Sequence, residues 1–210
     1  MTMTPMFPLE SVRLPGEGLP LRIFEPRYGA LVQDCLAAVE PVFGVVLISA
    51  GREVGGGDAR LDVGVLAHID QCEAQGVGRY RLSCSMTERI RILQWHHDDP
   101  YPRATVELWP DEPGPAVPSA AVTAVEDRIM AVFSRLAQSR GARLREREFV
   151  LGPVSDDVGK RLYTLASRVP MGQADKYSVL AAPSPSARLA ALSEAVESVA
   201  AMVEFQLSQD

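Results

Sequence analysis

Several groups of side chains in this 210-residue chain have types and spacings that invite a chemical reading. His96-His97-Asp98-Asp99 sets possible metal ligands side by side. A metal site needs three or four convergent ligands, and adjacent residues in a turn point apart, so the run is expected to be a loop. Gly51-Arg52-Glu53-Val54-Gly55-Gly56-Gly57-Asp58 has the glycines of a phosphate loop. It lacks the Gly-Lys-Ser/Thr through which a Walker motif reaches phosphate and Mg²⁺, so a flexible connection is expected there. Cys35, Cys72 and Cys84 are odd in number, widely spaced and without a C-x-x-C, and read as small apolar side chains. His68 alternates with apolar residues and should face solvent or a polar neighbour. No Ser/His/Asp set stands out along the chain. Arg140, Arg143, Arg145 and Arg147 form a basic run, but Glu146 and Glu148 interleave it and no stacking aromatic accompanies it. A solvated connection between helices is favoured there over a nucleic-acid patch. No cofactor and no metal is expected.

The elements that would position these groups fall into two kinds. Leu14-Pro15-Gly16 is a turn, and Leu19-Pro20-Leu21-Arg22-Ile23-Phe24 reads as a half-buried strand. Pro20 has no N–H to donate, so this strand should lie at a sheet edge or start there. Pro26 suits the first turn of a helix whose apolar stripe is Tyr28, Leu31, Val32, Cys35, Leu36 and Val39. Val42 to Ile48 is a continuous β-branched run, expected as a central strand buried on both faces. Val63 to Ile69 opens a second group of strands, followed by Arg79 to Cys84, Met86 to Trp95 with Arg89 and Arg91 on the face opposite Ile90 and Ile92, and Arg103 to Leu108. About six or seven strands and one early helix make a mixed, barrel-like domain over residues 1–110.

Pro110, Pro113, Pro115 and Pro118 then interrupt any regular element, and residues 111–118 are expected to be a linker. Beyond it the period becomes helical. Val122, Val125, Ile129, Val132, Phe133 and Leu136 mark a long helix ending near Gly141. Ser155 is placed to cap a second, with Asp156 and Asp157 in its first turn and Val158, Leu162, Leu165 and Val169 as its stripe. A short third helix covers Ala174 to Ala181. Leu189, Leu192, Val196, Val199, Val203 and Leu207 give a fourth the seam of a packed bundle. Residues 119–210 are therefore expected to be all helical, in about four helices.

Composition narrows the function. The net charge is −6, with 47% hydrophobic and 23% charged residues. The acidity belongs to residues 1–110, which carry 14 acidic and 10 basic side chains. A chain of this charge is not built to coat nucleic acid or an anionic membrane. The longest apolar run, Val42 to Ile48, is too short to span a bilayer, no leader pattern is present, and cytoplasmic residence is the default expectation.

Phe7-Pro8-Leu9, Leu14-Pro15-Gly16, the run from Leu19 to Tyr28 with Ile23-Phe24-Glu25-Pro26-Arg27-Tyr28 at its end, Phe43-Gly44-Val45-Val46-Leu47, Val63 to Ile69, and Gly78-Arg79-Tyr80 occur here in that order. Together they resemble the N-terminal, substrate-binding domain of the Lon protease family over nearly the whole chain. The resemblance implies an α+β fold, a PUA-like β pseudo-barrel with an early helix followed by a C-terminal helical bundle. It also implies a non-enzymatic module engaging polypeptide substrates or partner proteins, possible as an adaptor in protein quality control. The family's full-length protease carries a P-loop ATPase and a Ser-Lys dyad on later domains, for which these 210 residues leave no room. Lys160 and Lys176 follow aspartates in helical context and lack the setting of a catalytic base. Two other classes stay open, a PUA-like RNA-associated protein and a small hydrolase.

Peptide capture requires an exposed strand edge or an apolar groove. The candidates are the edge from Leu19 to Phe24 with Leu19, Leu21 and Ile23, the corner residues Glu25 and Arg27, the Gly51 to Asp58 stretch with Arg52 and Val54, and the neighbouring strand Val63 to Ile69 with Val65. For Glu25, Arg27 and Tyr28 a second reading is favoured: Glu25 caps the helix, Arg27 pairs with a carboxylate, and Tyr28 packs inward.

Overall fold

The computed structural model describes residues 2–50 and 59–208. The chain divides into two compact units, residues 1–110 and 111–210. The first holds β1 (Thr2–Leu9), β2 (Gly18–Ile23), α1 (Pro26–Ala37), β3 (Val42–Ala50), β4 (Ala59–Ala74), β5 (Tyr80–Trp95) and β6 (Arg103–Leu108). The sheet order is β2-β5-β4-β3-β1-β6, and β5 also pairs with β6. Five strands thus close into a ring, and β2 is added outside it along residues 80–85 of β5. Only β1 and β3 are parallel, which requires a crossover, and the chain between them supplies β2 and α1.

β5 is one strand of 16 residues, where the sequence suggested two. The apolar period of two runs unbroken through Leu82, Cys84 and Met86, so no turn is needed at Ser85. Register shifts in β4 and β5 then bend both strands around the ring. Arg89, on the face opposite Ile90, is buried, its guanidinium donating to the carbonyls of Trp109 and Pro110 and stacking 4.1 Å from the Trp109 ring. Arg91 lies against the same ring at 4.0 Å.

Met6, Val46, Ile90, Ile92, Ala104 and Val106 form a buried core cluster of the ring, with Leu66 and Trp95 packed against it. Phe7 stacks on Tyr28 of α1 at 4.2 Å. Neighbouring side chains of β1 are therefore buried on both faces, as are Phe43 to Val46 of β3. In α1, Tyr28, Leu31, Val32 and Cys35 are buried as their spacing predicts. The helix stops at Ala37, so Leu36 is half exposed and Val39 lies beyond the end, fully in solvent.

The second unit holds α2 (Ser119–Ser139), α3 (Arg147–Leu151), α4 (Val158–Arg168), α5 (Gln173–Ala181) and α6 (Pro185–Leu207). Leu192, Val196, Val199 and Val203 of α6 are buried, as are Val125, Ile129 and Val132 of α2. Arg128 to Glu197 and Arg135 to Glu204 bridge these two helices at 2.7 Å, one heptad apart on each. Asp157, not Ser155, caps α4, accepting from the Lys160 N–H, while the Ser155 hydroxyl accepts from the Asp157 N–H. The short α3 falls in the charged run read as a plain connection.

Residues after Pro110 are tied into this unit. Asp111 pairs with both terminal nitrogens of Arg188, which is fully buried and stacks 3.8 Å from the Tyr163 ring. The Glu112 N–H donates to Pro183. Arg161 is the second buried cation, holding Glu126 of α2 and the carbonyls of Leu151, Gly152 and Pro153 at the end of α3.

Candidate functional site

The turn before β2 is fixed from both sides. Gly16 adopts φ +86°, a left-handed conformation suited to glycine, and its N–H donates to Met86. The Glu17 carboxylate accepts from the Leu14 N–H, and the Met86 N–H donates to the Glu17 carbonyl. The chain then enters β2 in antiparallel register with β5, from Gly18 opposite Ser85 to Ile23 opposite Tyr80. β2 is the end strand of its sheet, so one of its edges has no strand beside it among the described residues. Pro20, exposed on this strand, is tolerated there for the reason given by its missing donor.

Beside β2 lies a groove of about 230 Å³. Phe7, Leu9 and Tyr28 line it together with Leu21, Ile23 and Phe24. Phe24 is 62% exposed, large and apolar, at the end of the free strand. At the rim, Glu25 and Arg27 pair at 3.0 Å, and the Arg27 guanidinium lies 4.4 Å from the Tyr28 ring. Glu25 occupies the cap position of α1 without a side-chain cap bond, because its carboxylate is turned to Arg27. Tyr28 packs inward against Phe7.

The sequence candidates therefore separate. Leu21, Ile23 and Glu25 meet in the groove, and Arg27 braces its rim. Leu19 is buried and does not line the groove, and Ile23 reaches the groove wall but is only 3% exposed, so β2 offers a partner chiefly its backbone edge and Leu21. Val65 is fully buried in β4, and β5 lies between β4 and β2 in the sheet, so Val65 has no face toward this edge. Arg52 and Val54 lie outside the described residues. Phe7 and Leu9 of β1 line the groove and were not among the sequence candidates, whereas Phe24 ends the Leu19 to Phe24 edge expected there.

The groups with chemical potential elsewhere are occupied with one another. His96 bonds the Thr105 hydroxyl through Nε2 at 2.8 Å, and Asp98 receives both terminal nitrogens of Arg60 at 2.6 and 3.1 Å. Among the described residues no three His, Cys, Asp or Glu side chains gather as a metal site would require. Ser85, Asp70 and His68 do converge on β4 and β5: the Ser85 hydroxyl donates to one Asp70 oxygen at 2.6 Å, and His68 Nδ1 lies 3.1 Å from the other. The order is wrong for a nucleophile, since the carboxylate stands between serine and imidazole and the imidazole does not contact the hydroxyl. The hydrogen bonds from Ser85 and then His68 hold the Asp70 carboxyl below its usual range. Burial pushes the Cys35 and Cys84 thiols up to about 12. Among the described residues no helix is long and apolar enough to cross a membrane.

Comparison with known proteins bears on this site. Residues 3–198 match the family model described as the ATP-dependent protease La (LON) substrate-binding domain. A Lon N-terminal domain protein from Xanthomonas campestris is similar in structure, with a TM-score of 0.63 and 26% identity, over 91% of this chain and 97% of that one. The N-terminal domain of the Mycobacterium avium complex Lon protease has the same fold, with a TM-score of 0.68 and 15% identity, over 93% and 98% of the two chains. No curated protein matches the sequence.

Proposed function

Because the chain belongs to the family of the LON substrate-binding domain, we propose that it binds polypeptides in extended form, without catalysis, by strand addition along β2. The single observation that carries this reading is the open edge of β2 lying directly beside the groove of Phe7, Leu21, Phe24 and Tyr28. An incoming strand would satisfy the backbone groups of the edge, and every second side chain would reach the groove. On this reading the closed ring with its added strand is a PUA-like pseudo-barrel serving as a platform, and the protein acts as a cytoplasmic adaptor in protein quality control. No cofactor is needed, because the recognising groups are backbone amides and apolar side chains.

The test is fluorescence anisotropy with a labelled, uncharged peptide of alternating Val and Thr carrying one Phe. Leu21→Asp and Phe24→Asp place charge in the groove at half-buried and exposed positions, where folding tolerates it. Each should weaken binding about tenfold or more, the cost of burying an unpaired charge against the peptide. Wild-type binding that both variants leave unchanged would move the site elsewhere.

A further inference from the structure

We propose that the helical unit carries a second recognition site, a basic-rimmed apolar groove that takes an acidic polypeptide segment bearing a bulky apolar side chain. The groove has a volume of about 480 Å³, within the range of ligand-binding concavities. Its apolar wall is built by Phe133 and Leu136 at the C-terminal end of α2 and by Phe149 and Val150 of α3. Phe133 and Leu136 belong to the α2 stripe but are only half covered, whereas Val125, Ile129 and Val132 are buried.

The charge around it is one-sided. Arg140, Arg143, Arg145 and Arg168 line the groove and no carboxylate does. Elsewhere in residues 111–210 each arginine has an acidic partner: Arg128 has Glu197, Arg135 has Glu204, Arg147 has Glu126 and Asp127, Arg161 has Glu126, and Arg188 has Asp111. Among the described residues, the arginines of this unit for which no carboxylate partner is found are those that meet here. In a chain of net charge −6, such a cluster is a local exception that matches an acidic segment. Glu146 and Glu148 interleave the arginines along the chain but do not line the cavity.

A peptide fits better than single-stranded nucleic acid. The Arg145 guanidinium already lies 4.1 Å from the Phe149 ring and takes one of its faces, while the apolar wall of Phe133, Leu136 and Val150 offers contact to an apolar side chain. All residues of this groove belong to 111–210 and none to β2, so this site and the β2 edge stand or fall separately.

The experiment compares two labelled peptides, one with a Leu-Phe pair set among Asp and Glu and one with Lys in place of each acid. It uses the full chain, Arg143→Glu/Arg145→Glu, Phe149→Ser, and Phe24→Asp as a control at the other site. These groove positions are exposed, so the fold survives the changes. The expected result is binding of the acidic peptide that weakens with salt, falls about tenfold or more in the charge-reversed variant, falls in Phe149→Ser, and is unchanged in Phe24→Asp. Equal affinity for the lysine peptide, or indifference to both groove variants, would overturn the proposal. Displacement of the acidic peptide by a tighter-binding oligouridylate would overturn it in favour of nucleic acid.

Discussion

Arg188 shows how a single buried charge organises the helical unit. Its side chain is fully buried, paired with Asp111 and stacked on Tyr163, so it joins the segment after Pro110 to α4 and α6. Removing one partner of a buried pair costs more than the pair contributes, because the other is left desolvated. Arg188→Ala should lower stability by about 3 kcal/mol, near the lower end for such pairs since Asp111 retains some access to water. Urea unfolding followed by helical circular dichroism measures this, and a loss within experimental error would contradict the role assigned. The thiols make a second residue-scale prediction. Folded Cys35 and Cys84 ionise near 12, raised chiefly by burial from an ordinary value of 9.0. Unfolded thiols ionise first as pH rises, so this contribution to stability is present below the ordinary value of 9.0 and is lost as pH rises from there toward 12. At pH 8, native protein should react with a thiol reagent at half-buried Cys72 before Cys35 or Cys84. Little of this was legible in the sequence. Nothing in the pattern around Arg188 distinguishes it from the exposed arginines, because its partner lies 77 positions away.

At the scale of elements, local periodicity carried far. The stripe Tyr28, Leu31, Val32 and Cys35, the buried run of β3, and the seam of α6 stand where their spacing puts them. Edge placement of β2 followed from one proline. What periodicity could not reach were features set by distant chain. Arg89 is buried because Trp109 folds over it, and β5 continues past Ser85 because β4 pairs with it on both sides of that residue and β6 pairs with it beyond the end of β2. The groove walls come from β1, β2 and α1 together, so Phe7 and Phe24 gave no joint signal. Ring closure also depends on close approach of β3 and β4. A Cβ on Gly64 would stand 2.3 Å from the Val45 carbonyl oxygen and 2.7 Å from Val46 Cγ1. Backbone cannot yield there as a side-chain tip can, so Gly64→Ala should destabilise the protein by about 2 kcal/mol, read as a lowered urea midpoint. An unchanged midpoint would show that the ring has room which the geometry denies.

For the whole molecule, charge and architecture divide the work. The acidic barrel unit offers a backbone edge and a small apolar groove, and the helical unit offers arginines around a larger one. Binding at the β2 edge should be nearly independent of salt, since its recognising groups are neutral amides and hydrocarbon. Family membership was readable from the segment around Leu14 to Tyr28, because the turn, edge strand and helix start impose strict residue types on consecutive positions. The most direct measurement of the central claim is amide hydrogen exchange of the full chain with and without a reduced, carboxymethylated protein as the unfolded partner. The account predicts slower exchange across Gly18 to Phe24 when the partner is bound, with the amides of β4 unchanged. Binding that protects other segments and leaves β2 as it was would contradict it.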